Sequence, residues 1–182
     1  MRILPPLAAC LFFLLLSTCG SAPEGGEVQT ADFFDLKGYI AAEVERLNGQ
    51  PLRVHKTITL NGETEVKILD DLDYEKDLGL FAGADINRNA WVDKYATDVQ
   101  QLSGQHRITQ YKALDSTLTT QFLEVEEERG QTIQLKIIRK TGTVLSKGRS
   151  EMIYRPVLGY IVTTKQENRF GDDVDAMVRV EW

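Results

Sequence analysis

From His106 to the C-terminus, the 182-residue chain carries six consecutive segments of alternating or β-branched residues. No other feature restricts its possible folds as strongly. The segments are His106–Leu114, Leu118–Glu127, Thr132–Arg139, Val144–Arg155, Tyr160–Phe170 and Val174–Trp182. Turn residues separate them: Asp115-Ser116, Arg129-Gly130, Thr141-Gly142, Pro156 to Gly159, and Gly171-Asp172-Asp173. Links this short join antiparallel neighbours, because a parallel pair needs a long crossover. Ile133, Leu135 and Ile137 offer one apolar face, while Gln131, Gln134, Lys136 and Arg139 suit solvent. One face of the sheet is therefore expected to be wet and the other covered by helices.

The preceding third of the chain supplies those helices and one hairpin. Phe33, Leu36, Ile40, Val44 and Leu47 recur at spacings of three and four, which predicts a helix over about Asp32 to Asn48. Asp32 is the expected N-cap, and Asn48-Gly49 with Pro51 the stop. Leu52, Val54, Ile58 and Leu60 then alternate with polar residues up to Asn61-Gly62, the strongest short hairpin signal. The return strand is Glu63 to Leu69, with Val66 and Ile68 on one face. Lys56 interrupts the apolar face, which predicts a sheet end or a wet cavity there. Asp71 or Asp73 caps a second helical segment bearing Tyr74, Leu78 and Phe81, within Asp70 to Tyr95. Trp91 and Tyr95 are expected to plug the edge of the core. The predicted fold is α+β: a curved antiparallel sheet of about 7–8 strands, covered on one face by the two helical segments.

The first residues read as an export leader. Arg2 precedes the apolar run Leu11 to Leu16, which is shorter than the ~20 residues of a membrane span. The run ends in Leu16-Ser17-Thr18-Cys19, which resembles the lipobox of bacterial lipoproteins. That resemblance implies cleavage after residue 18 and diacylation of Cys19, which anchors the protein in a membrane. Leu7-Ala8-Ala9-Cys10 is a rival by residue type, but too few apolar residues precede Cys10. Gly20 to Ala31 is a Gly/Ser/Pro-containing tether, leaving residues 32–182 as a single domain. Gly20 follows the cysteine where an aspartate would retain a proteobacterial lipoprotein in the inner membrane. The expected location is therefore the bacterial cell envelope, at the outer membrane. The formal net charge is −6 and no basic run is visible, which argues against nucleic acid as a partner.

Phe33-Phe34-Asp35-Leu36-Lys37-Gly38-Tyr39, Ile86-Asn87, Ala90-Trp91-Val92-Asp93-Lys94-Tyr95 and Tyr111-Lys112-Ala113-Leu114-Asp115 resemble a group of uncharacterised lipoproteins of Bacteroidota envelopes. More loosely, a curved sheet with helices on one face resembles the LolA/LolB-type lipoprotein carriers. Neither resemblance implies a catalytic motif, and fold alone does not give function.

The candidate chemistry is sparse. His55 and His106 are the only histidines, and nothing in the sequence places them together. Asp70-Asp71-Leu72-Asp73 and Asp172-Asp173-Val174-Asp175 are better explained by capping and turn chemistry than by calcium. Gly-rich phosphate loops, G-x-S-x-G and H-E-x-x-H are absent from the sequence. The expectation is a non-enzymatic envelope protein that binds an apolar ligand or a partner protein, with no metal or cofactor. A scaffold lipoprotein with a filled core is the alternative. An envelope hydrolase using carboxylates such as Glu124 and Glu126 comes last.

Overall fold

The computed structural model describes residues 33–182. The leader, Cys19, the tether and Asp32 lie outside the described residues. Among the described residues, nine strands form one antiparallel open sheet, with two α-helices, in a broadly α+β arrangement. In chain order the elements are α1 (Leu36–Asn48), β1 (Val54–Leu60), β2 (Glu63–Leu69), α2 (Tyr74–Ala82), a 3-10 turn at Asn89–Trp91, β3 (Tyr95–Ser103), β4 (His106–Ala113), β5 (Thr120–Glu128), β6 (Gln131–Gly142), β7 (Ser146–Arg155), β8 (Gly159–Asn168) and β9 (Val174–Glu181). The order across the sheet is β2-β1-β9-β8-β7-β6-β5-β4-β3. The meander from β3 to β9 thus ends against β1, and β2 and β3 are the two free edges. Among the described residues no helix is long and apolar enough to cross a membrane.

Local chemistry sets the boundaries. α1 is capped by Asp35, whose carboxylate accepts from the Gly38 N–H at 2.9 Å. Phe33 therefore sits before the helix and packs edge-on against Tyr95 and Tyr111. Asp73 caps α2 by accepting from Lys76 N–H at 3.0 Å. The β1–β2 turn has positive φ at both Asn61 (48°) and Gly62 (90°), as a type I′ turn requires. Gly159 also sits at positive φ (124°), and a Cβ there would lie 1.9 Å from the Val180 carbonyl oxygen. Only glycine lets β8 start this close to β9.

The register lines up two apolar rows across the face that carries the helices. One row runs Tyr111, Leu123, Ile137, Met152, Val162, Val178 and Ile58. The next runs Thr109, Val125, Leu135, Tyr154, Tyr160, Val180 and Lys56. Leu36, Ile40 and Leu47 of α1 and Tyr74, Leu78 and Phe81 of α2 are buried in the same core. Ala84 and Ile86 extend that core beyond α2.

Four expectations change. Helix α1 starts at Leu36 with Asp35 as its cap, and not at Asp32, because the Asp35 carboxylate takes up the free Gly38 N–H. The sheet has nine strands, because Tyr95–Ser103 is a strand that the sequence pattern does not announce. After Tyr95 every one of its residues is exposed, so the alternation that marks a half-buried strand is missing. Lys56 opens no cavity. Its ammonium meets the Asp77 carboxylate of α2 at 2.5 Å, and both side chains are mostly buried. Arg139 shares its face with Leu135 and Ile137 and is only partly exposed. Its Nε is buried without a hydrogen-bond partner, and burial lowers the pKa of the guanidinium.

Candidate functional site

A concavity of about 930 Å³ lies where α1 crosses the start of β6 and the β7–β8 turn. It is an open cleft built from three distant segments and the C-terminal residue. Tyr39, Glu43 and Arg46 share one side of α1, since spacings of four and three fall on one helix face. Arg46 grips Glu43 through Nε (3.1 and 3.2 Å) and Nη2 (2.8 Å), and Nη2 also donates to the Pro156 carbonyl at 2.8 Å. The Tyr154 hydroxyl donates to Glu43 Oε2 at 2.6 Å. Trp182 Nε1 reaches the same Pro156 carbonyl at 3.2 Å. These contacts fix the helix, the turn and the C-terminus as one wall.

The lining is largely apolar: Phe34, Tyr39, Leu52, Ile133, Leu158 and Trp182. On the β7–β8 turn, Val157 is 81% exposed and Leu158 58% exposed. Two large aliphatic side chains held in water beside an apolar cleft favour an apolar occupant. The cleft's charged groups already have partners. Besides the Arg46–Glu43 pair, Arg155 Nε donates to Gln134 Oε1 at 2.8 Å and Arg107 pairs with Glu127 at 2.6 Å. Burial raises the Tyr39 and Tyr154 pKa values, and the Glu43 carboxylate adds to both shifts. Both phenols therefore stay neutral donors at neutral pH. The arrangement can hold an amphipathic molecule by shape, apolar contact and a polar rim.

The residues singled out in the sequence lie elsewhere. His106 and Glu126 meet on the opposite face of the sheet, Nε2 to Oε1 at 2.8 Å, and Glu124 accepts from Gln110 Nε2 at 2.6 Å. His55 is exposed on β1, near the other edge of the sheet. In the first acidic cluster Asp73 caps α2 and Asp70 pairs with Arg53 at 3.0 Å; in the second, Asp173 accepts from the Asn168 N–H at 2.8 Å. Among the described residues, no group of three or more His, Cys, Asp or Glu side chains could hold a metal ion. Cys19 lies outside the described residues.

The sequence reading missed Glu43, Arg46 and Tyr154. The available signal was the apolar residue pair Val157-Leu158 in a turn, which polar turn chemistry does not require. A basic patch was missed as well. Lys140, Lys147, Arg149 and Lys165 line one groove of about 700 Å³ at the other end of the strands. The cations invisible as a run in the linear sequence are brought together by the sheet.

Comparison with protein-family models, with curated proteins and with solved structures gave no match. The resemblance to envelope lipoproteins therefore rests on the sequence motifs alone.

Proposed function

We propose that this protein is a lipid-anchored binding protein of the bacterial cell envelope, holding an apolar or amphipathic ligand, or a partner's apolar segment, in the cleft beneath α1. The leader and Cys19 support the anchoring, at the outer membrane. The observation that carries the binding role is the cleft itself: about 930 Å³, apolar-lined, with Val157 and Leu158 exposed beside it. The interior between helices and sheet is occupied by Leu36, Leu47, Leu78, Phe81 and Ile86, each fully buried. That packing favours a ligand at the rim over one within the sheet's covered face. That packed interior also supports the second reading, a scaffold lipoprotein with a filled core.

Native mass spectrometry after gentle extraction separates the two. A binding protein retains a co-purifying lipid-sized adduct, and Leu158→Asp removes it without loss of fold. A clean apo mass for the wild-type protein favours the scaffold. Anchoring is tested by labelling with an alkyne fatty acid in the native host. Label is lost in Cys19→Ser and kept in Cys10→Ser; label surviving Cys19→Ser overturns the anchor.

A further inference from the structure

The groove at the far end of the sheet holds a row of like charges across three strands. Lys140 of β6 lies directly opposite Arg149 of β7, and Arg149 lies directly opposite Lys165 of β8. Lys147 enters the same groove two residues before Arg149. Like charges directly opposite one another on a sheet face destabilise it. In a chain of net charge −6, four cations share this groove with one lining carboxylate, Glu167, which lies directly opposite Lys147, while Asp175 lies directly opposite Lys165. Lys165 is 3.7 Å from Asp175. Among the described residues, Lys140, Lys147 and Arg149 take part in no ion pair within 4.0 Å.

The other side of the groove is the β4–β5 turn, which contributes the hydroxyl-bearing residues Ser116, Thr117 and Thr119. That turn is held in place: Asp115 accepts from both the N–H and the hydroxyl of Thr117, and Lys140 N–H donates to the Thr119 carbonyl at 2.8 Å. Cations in three adjacent strands, faced by hydroxyl groups, form a surface for an anion with several charges and many acceptor oxygens.

We propose that this groove binds a phosphate-bearing anion, with Lys140, Arg149 and Lys165 as its principal contacts. Neighbouring strands are about 4.8 Å apart, so the three cations span roughly 10 Å. That row is matched by two linked phosphates better than by one carboxylate. Phosphate oxygens accept charge-assisted bonds from lysine and arginine together, with acceptor sites left for the hydroxyl groups of Ser116 and Thr119. The bound anion removes the mutual repulsion of the cationic row. The site lies at the opposite end of the strands from the apolar cleft, so its failure would leave the cleft reading untouched.

The test uses the full chain with pyrophosphate as probe, in thermal unfolding and in hydrogen exchange. Pyrophosphate is expected to raise the wild-type Tm above that in chloride of matched ionic strength. It should also protect amides of 139–149 and 163–167. Arg149→Gln, which removes the centre of the row, should leave the protein at least as stable without ligand and weaken pyrophosphate binding tenfold or more. Glu167→Gln should tighten binding. A parallel arm uses phosphatidylglycerol vesicles against phosphatidylcholine vesicles, read only by exchange at the groove. Protection by pyrophosphate assigns a soluble phosphate ligand. Protection by phosphatidylglycerol alone assigns a lipid headgroup. No protection by either, or binding unchanged in Arg149→Gln, overturns the proposal.

Discussion

Two contacts that pin a helix to the sheet use the same parts in different ways. Tyr154 and Tyr160 face each other across β7 and β8, and each donates its hydroxyl to a helix carboxylate. Tyr154 reaches Glu43 of α1 at 2.6 Å, and Tyr160 reaches Asp77 of α2 at 2.5 Å. Each carboxylate also holds a cation. For Glu43 it is Arg46, three residues along the same helix, 36% exposed at the cleft wall. For Asp77 it is Lys56, which comes from β1 and is 18% exposed. The first ion pair lies within one helix and only its cation is partly hydrated, since Glu43 is 12% exposed, as buried as Asp77 at 14%. It reaches the sheet through Tyr154 and the Pro156 carbonyl. The second crosses between layers with a drier cation, so each charge depends on the other. A pair of similar geometry thus serves as an adjustable rim in one place and as an obligatory joint in the other.

The largest expected effect follows from breaking the joint. Asp77→Ala strands the Lys56 ammonium and the Tyr160 hydroxyl together and should cost about 3–5 kcal/mol in denaturant unfolding. Glu43→Ala leaves Arg46 its bond to the Pro156 carbonyl and access to water, and strands only the Tyr154 hydroxyl, so about 1–3 kcal/mol is expected. Equal losses in the two variants would erase the distinction. Replacing the joint whole sharpens it. Lys56→Met with Asp77→Leu should recover most of the loss of Asp77→Ala, to within about 1–2 kcal/mol of wild type, because well-packed apolar residues substitute for a buried pair. No recovery would mean that the pair contributes more than its own desolvation.

Alkaline pH tests both tyrosines. Burial raises each phenol's pKa, with the adjacent carboxylate adding to the shift. Burial also pushes Tyr95 up to about 12. A pKa raised in the folded state gives stability that is whole below the unfolded value, near 10, and is lost as pH rises beyond it. Stability should therefore fall steeply above about pH 10. Tyr154→Phe and Tyr160→Phe should each flatten that fall while costing about 1 kcal/mol at pH 7. A slope above pH 10 unchanged in both variants would remove the tyrosines from the account. The smallest effect is that of salt. At about 1 M the Debye length shrinks to roughly 3 Å, which should weaken the Arg46–Glu43 contact by a few tenths of a kcal/mol and leave Lys56–Asp77 nearly unchanged. A double-mutant cycle at two salt concentrations measures both.

Legibility from sequence divides along the same physical line. The hairpin at Asn61-Gly62 and the β4 to β9 meander were readable, because turn chemistry and period-two patterning are local. Helix α1 was readable by its apolar spacing, although its cap is Asp35. Strand β3 was not, because an exposed edge strand has no apolar face to alternate. Lys56 was visible as an anomaly, but its meaning depended on Asp77, 21 residues on and in a helix of the other layer. The cleft was hidden for the same reason: Tyr154 and Glu43 are 111 residues apart. The cationic groove is assembled from three strands and a turn, and no window of the linear sequence contains it.

The first strand's partner is the last strand. Asn61 at the hairpin tip accepts from the Asp175 N–H with its side chain and donates its own N–H to the Asp175 carbonyl, across 114 residues. A chain made from its N-terminus must therefore keep the β1–β2 hairpin waiting, with one long edge unpaired, until β9 is complete. An isolated hairpin is marginal in water, and closing so long a loop delays folding more than it lowers stability. The sheet cannot be finished early. A truncation before Val174 leaves β1 and β8 each with an unpaired edge open to other chains, so the final strand decides whether the protein is a folded domain or a source of aggregates.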